Sequence, residues 1–363
     1  MRAMPARALV VFLAVAFVGG PTAAHRAQPP SPFAAQIASL SEPAGYFDTD
    51  NLISNERSYL QVLPDLRRRN VRGGAYLGVG PDQNFSYIAE VRPSIAFIVD
   101  VRRDNLLLHL LFKALLDRSR TRVEYLAQLF GRPVPADIEA WRSASVDRLV
   151  DYIDRGRTSP AVSALRQRTD EAIARMGVPL SAEDRATIDR FHRRFIAAGL
   201  SLMFQSTGRP PQSYNPTYRD LLRETDASGR QANYLASEDA FQFVKGLEAR
   251  DLIIPVVGDL SGPSALTAIG RALAARNERL SAFYVSNVEF YLFGSGSFPR
   301  FAANLGRLPH TPNSVLIRSI FGRYVMDPSR PGDASMSRLQ AVDELLREYA
   351  AGHIRQYADI AGR

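Results

Sequence analysis

The sequence predicts an α/β fold: a mainly parallel, Rossmann-like sheet with helices on both faces and a helical insertion. Three observations predict it. Apolar runs of strand length near Ala75, Ile95, Leu252 and Ala282 alternate with segments of helical periodicity, the order of a parallel sheet with right-handed crossovers. The first run ends in Gly78-Val79-Gly80, the tight turn of a βαβ nucleotide-binding unit. The second run ends in Asp100, roughly 20 residues beyond Gly80, where an acid can accept both hydroxyls of a ribose.

The glycine pattern alone is weak. A third glycine would fall at Gln83, and Pro81 follows Gly80 directly, so the loop can simply open a helix at Asp82. The competing reading is therefore a strand-turn-helix connection with no ligand.

Of the 363 residues, 46% are hydrophobic and 23% charged, a globular composition with enough chain for a large core. Residues 1–24 read as a signal peptide: Arg2 and Arg7, an apolar run from Ala8 to Val18, then Thr22-Ala23-Ala24. That run is too short to span a bilayer, and no other segment is apolar enough, so no membrane span remains after cleavage. The expected location is exported, periplasmic or secreted. Removing Arg2 and Arg7 takes the formal charge from +8 to +6. The only compact basic run, Arg67-Arg68-Arg69, has no interleaved aromatics, which argues for a solvated turn and against nucleic acid. Cysteine is absent, which excludes disulfides, thiolate metal sites and cysteine nucleophiles. The five histidines have no ligand spacing, so no metal is expected.

After the signal, residues 25–45 are rich in Pro, Ala, Gln and Ser and read as a disordered leader. Residues 46–117 form the first part of the Rossmann-like domain, with a helix capped by Asn55 and running to Leu66, the two strands, and a leucine-rich helix from about Asp104 to Leu116. Residues 118–236 read as a mostly helical insertion, with helices at 123–130, 136–153, 161–176 and 181–203 broken at Gly131, Pro160 and Gly177. Residues 237–363 return to the sheet: a helix from Glu238 to Leu247, a strand at 252–257, a helix from Ser264 to Arg276, strands at 282–286 and 315–320, and a helix from about Ser337 to Tyr349. Pro255 inside a strand asks for an edge or bulged position.

Ligands of open α/β sheets bind beyond the strand carboxyl ends. The loops there gather Asp82, Asn84, Asp100, Arg102, Arg103, Asp259, Asn287 and Glu289. Each has an ordinary alternative. Asp100 can pair with Arg102 or Arg103, Asp259 can cap the following helix, Asn287 can stabilise a turn, and Glu289 can be a surface acid. No G-x-S-x-G elbow is present, which weakens an α/β-hydrolase reading.

Three stretches of these loops, Tyr76 to Phe85, Phe97 to Arg103 and Val285 to Phe293, together with Tyr234 to Glu238 and Ile254 to Asp259, resemble an uncharacterised bacterial family. Its fold is similar to that of S-adenosylmethionine-dependent methyltransferases. The resemblance covers about residues 51–293 with gaps. It implies S-adenosylmethionine as cofactor, with Gly78 and Gly80 against its methionine portion, Asp100 on the ribose hydroxyls and Asp259 beside the transferred methyl. Asp82, Asn84 and Arg102 complete the expected cofactor-binding set, and Asp259, Asn287 and Glu289 the expected catalytic set.

The resulting expectation is an exported methyltransferase-like protein that binds S-adenosylmethionine or a related small ligand and, if it is catalytic, transfers methyl to an unspecified acceptor. The alternative is a non-catalytic binding module of the cell envelope that keeps the fold and recognises a protein or envelope partner. A third reading is a hydrolase using Asp259 and Glu289 as acid and base.

Overall fold

A computed structural model describes residues 31–49, 51–206, 208–209, 212, 214–325 and 334–361. The signal-peptide reading of residues 1–24 lies outside them. So does the start of the expected leader, but its second half departs from the expectation. Pro32–Leu40 is a helix (α1), capped by Ser31 and anchored by buried Phe33, Ala34, Ile37 and Leu40. Polar composition misled here because these four apolar residues, at helical spacing, suffice to dock a nine-residue helix.

The segment expected as one helix from Asn55 divides into a 3-10 turn at Arg57–Leu60 and a short α2, Leu63–Arg68. The βαβ unit follows: β1 Ala75–Gly78, α3 Gln83–Val91 and β2 Ile95–Asp100. All six residues of β2 except Asp100 are buried, as a central parallel strand covered on both sides requires.

Helix α4 (Arg103–Asp117) then leads into a strand-free helical stretch: α5 Arg122–Leu129, α6 Val146–Arg155, α7 Val162–Arg175, α8 Ala182–Ala198 and α9 Tyr218–Arg223. The helix expected across 136–153 begins only after Ser145, whose side chain accepts from the Arg148 backbone N–H. Helix α8 stops at Gly199, where φ is +56°.

The sheet resumes with α10 Glu238–Glu248, β3 Ile253–Val257, α11 Ala265–Ala275 and β4 Leu280–Ser286. It ends with α12 Val288–Gly294, α13 Phe298–Gly306, β5 His310–Phe321, β6 Ser335–Ala341, α14 Val342–Ala350 and α15 Ala358–Ala361. Residues 337–341, expected as the start of the last helix, are strand. Met336 and Leu339 stand three residues apart, a spacing that fits a helix, and it is antiparallel pairing with β5 that makes the segment strand.

The six strands run in the order β3-β2-β1-β4-β5-β6, parallel except for β6, which is antiparallel to β5. The fold is thus mixed α/β with a mostly parallel sheet. Strand β3 lies at an edge and pairs only with β2, which accommodates Pro255. The chain steps outward from β1 through β2 to β3, then returns to β4 on the other side of β1. Helices α3 and α4 pack with α10, and α11 and α12 pack with α13, the grouping on two faces that right-handed crossovers would give.

Candidate binding cavity at the strand ends

The reversal of strand order between β1 and β4 leaves a crevice at their carboxyl ends. There the structure forms a cavity of about 410 Å³, within the size range of small-molecule sites. Its apolar surface comes from Val79, Val99, Leu260 and Leu292 among others, and Phe47 and Tyr291, which also line it, meet edge to face with ring centroids 5.0 Å apart.

Of the residues expected at a site, Gly80, Asp100, Arg102, Asp259 and Asn287 line this cavity. Gly80 has φ +82°, a conformation that favours glycine. His109, reaching from α4, donates through Nε2 to the Gly80 carbonyl at 2.9 Å and fixes the loop. Burial pushes its imidazole down to about 4, so it is neutral at physiological pH.

Asp100 and Arg102 are already partners. Arg102 donates to the carboxylate through its backbone N–H (2.9 Å), Nε (3.1 Å) and Nη2 (3.0 Å) and, through Nη1, to the Thr49 carbonyl at 2.8 Å. Three of the roughly four acceptor positions of the Asp100 carboxylate are thereby used. Asp259 is exposed and accepts at Oδ1 from the Ser261 N–H (2.7 Å) and hydroxyl (2.9 Å), closing its own turn. The cap of the following helix is Glu42 instead, which accepts from the backbone N–H groups of Ser264 and Ala265 at 2.6 and 2.5 Å. Asn287 is half-buried, and its side-chain oxygen lies 3.4 Å from the Ser286 hydroxyl.

Four residues of the expected cofactor and catalytic sets point elsewhere. Gly78 is spared a side chain because a Cβ there would strike Asn84 Oδ1. Asn84 is wholly buried and serves the loop, accepting from the Tyr76 hydroxyl at 2.8 Å and donating to the carbonyls of Val79 and Pro81 at 2.9 and 2.8 Å. Asp82 accepts from the hydroxyls of Tyr218 (2.7 Å) and Tyr234 (3.1 Å), tying the loop to the helical stretch. Its burial raises its carboxyl to about 6. Glu289 is neither a surface acid nor a cavity group: it is 1% exposed and accepts from Arg318 Nε and Nη2 at 2.6 and 3.0 Å. A hydrolase pairing of Asp259 with Glu289 has no geometric basis, since Glu289 is sealed against β5. Arg103, also on these loops, turns to Asp184 of α8, donating to its carboxylate at 2.8 and 2.9 Å.

Sequence reasoning passed over the polar group on the opposite wall. Glu56 lines the cavity, is 1% exposed, and accepts from the hydroxyls of Tyr284 (2.6 Å), Ser286 and Ser319. Desolvation raises its carboxyl, against the opposing pull of the three hydroxyls. Beside it, Gln83 lines the same cavity and donates through Nε2 toward the Tyr284 hydroxyl at 3.4 Å. Ser286 itself holds φ +51°, a strained backbone of the kind that gathers at functional sites. No local pattern marks Glu56, because its partners lie more than 200 residues along the chain.

Fold and cavity together define an α/β protein with a ligand-sized site at the carboxyl ends of a mostly parallel sheet. Within that class the chain belongs to the Domain of unknown function (DUF7790) family, whose profile matches residues 51–141 and 200–350. Glu56, Gly80, Asp100, Asp259 and Asn287 all fall in the matched blocks, whereas 142–199 between them contains α6, α7 and α8 entire. No curated protein matches the chain. Among the described residues no helix is long and apolar enough to cross a membrane.

Proposed function

We propose that the protein binds an adenosine-containing small molecule, S-adenosylmethionine or a related compound, in the cavity at the strand ends. The observation that carries this reading is convergence: Gly80, Asp100, Asp259 and Asn287, from four separate loops, line one cavity at the point where strand order reverses. The strand order β3-β2-β1-β4-β5-β6 is that of doubly wound dinucleotide-binding sheets, and it favours a Rossmann-like description. Gly80 lets a ligand approach the backbone, and the one acceptor position that Arg102 leaves on Asp100 can take a ribose hydroxyl. Methyl transfer, if the ligand is S-adenosylmethionine, rests on positioning an acceptor in line with the sulfonium carbon inside a water-poor cavity. Asn287, which lines the cavity, would orient that acceptor.

A second reading has its own observation. Asp100 and Asp259 are both engaged by neighbours, Arg102 and Ser261, which suits a binding module that keeps the fold without the chemistry. Export to the periplasm or beyond is part of either proposal.

Calorimetric titration of the chain with S-adenosylmethionine and S-adenosylhomocysteine tests the reading. Saturable binding that Asp100→Asn weakens by about tenfold, roughly 1.4 kcal/mol, supports it. Absence of heat at millimolar ligand with the folded chain removes the nucleoside assignment. Binding without turnover on any acceptor selects the second reading.

A further inference from the structure

Among the described residues, most carboxylates of the interior face cations. Asp100 meets Arg102, Glu289 meets Arg318, Asp226 meets Arg67 and Glu248 meets Lys113. Glu56, the buried acid on the cavity wall, has no ion pair among the described residues. Its three partners are hydroxyls, from Tyr284 and Ser286 on β4 and from Ser319 on β5. The titratable groups that sense its charge from other elements are Tyr76 on β1, Tyr87 on α3 and Tyr357 before α15, all of them neutral phenols with raised values. Arg318, one residue before Ser319, is held bidentate by Glu289. Asp82 is a second buried acid without a cation, but it turns away from the cavity toward Tyr218 and Tyr234.

A second observation points the same way. Gln83 lines the same cavity, is 6% exposed, and its Oε1 has no hydrogen-bond partner among the described residues. A buried acceptor left unpaired costs about 1–3 kcal/mol, a cost that a donor reaching Gln83 from the cavity would remove. Glu56 and Gln83 are linked through one hydroxyl, that of Tyr284. An amide oxygen that lacks a donor therefore stands near a carboxyl that lacks a cation. An ammonium group carries three donors, no acceptor and the missing charge.

We propose that the Glu56–Gln83 wall of the cavity is a binding site for the primary ammonium group of a small ligand. A hydroxyl would satisfy Gln83 but leave Glu56 without its counter-charge. Desolvation raises the Glu56 carboxyl, and an ammonium beside it would draw it back toward the carboxylate form. The ammonium site shares the cavity with the nucleoside site but is formed by Glu56 and Gln83, whereas Asp100 serves the nucleoside.

The test uses the full chain with ¹³C-labelled glutamate, the Glu56 carboxyl resonance being the one lost in Glu56→Gln. Its titration midpoint is measured in sodium chloride, in methylammonium chloride and in tetramethylammonium chloride at equal ionic strength. Methylammonium lowers the midpoint by roughly one pH unit in a saturable way, a tenfold gain in proton dissociation, and Gln83→Ala diminishes that effect. Tetramethylammonium, which has no N–H, leaves the midpoint where sodium does. An identical midpoint in all three salts overturns the proposal. Because methylammonium carries no nucleoside, that outcome leaves the nucleoside reading standing, and a failure of nucleoside binding leaves the ammonium result intact.

Discussion

The two polar walls of the cavity are built on opposite terms. On one, Asp100 and Arg102 pair with each other and hold the Thr49 carbonyl, so the charges of that wall are balanced without a ligand. On the other, Glu56 has hydroxyls but no cation, and Gln83 keeps an amide oxygen without a donor. The difference teaches that the acid best placed by motif is not the acid with the most unused binding capacity. A strand-end aspartate locates the crevice, whereas unmet hydrogen bonds and unpaired charge show where a ligand would gain most.

That contrast breaks most visibly on removing one partner of the closed wall. Arg102→Ala leaves the Asp100 carboxylate, 11% exposed, without its pair and frees the Thr49 carbonyl. The expected loss is about 3–5 kcal/mol of unfolding free energy in urea, the range for stranding a buried charge. A loss under about 1 kcal/mol would mean that solvent already serves that wall.

The loop between the walls provides the next largest effect, through pH. Asp82 titrates near 6 in the folded protein, above its ordinary carboxylate value, so the folded state holds more protons than the unfolded chain between about pH 4 and 6. Its contribution to stability therefore falls as pH rises through that window, by roughly 2–3 kcal/mol. Asp82→Asn removes this slope, read as the difference between variant and parent in denaturant titrations at pH 4.5 and 7.5. Parallel curves for the two proteins would place the Asp82 carboxyl in water and undo its assignment to the tyrosine cluster.

Gly80→Ala sharpens the comparison at the point where both walls meet the loop. With φ at +82° the alanine is strained, and the expected cost is about 1 kcal/mol with a matching fall in melting temperature. The smallest effect belongs to the open wall. Glu56→Gln keeps the size and one of the two acceptor oxygens, the hydroxyls facing the new amide N–H can turn to accept, and a buried carboxyl without a counter-ion is removed, so stability at pH 7 changes by less than about 1 kcal/mol. A loss as large as that of Arg102→Ala would make Glu56 a structural strut and equalise the two walls.

Much of the architecture was legible because parallel strands buried on both sides announce themselves as short apolar runs. The runs ending at Gly78, Asp100, Val257 and Ser286 located the loops that converge, and Pro255 correctly demanded an edge. Side-chain direction was not legible. Gly80 and Gln83 face the cavity while Asp82 and Asn84, interleaved with them, face the protein, since successive residues of a helix's first turn point about 100° apart. The same rule separates buried Glu289 from exposed Phe290 and Tyr291 on α12. Glu56 was invisible for a different reason: its environment is assembled by β4 and β5, which the chain reaches only after the helical stretch.

The most direct test of the binding account is an amide chemical-shift map of the isotopically labelled chain with and without S-adenosylhomocysteine. The account predicts saturable changes clustered at residues 79–83, 100–102, 258–260 and 286–288, the loops that surround the cavity. Changes confined to α6, α7 and α8, or none at millimolar ligand, would contradict it.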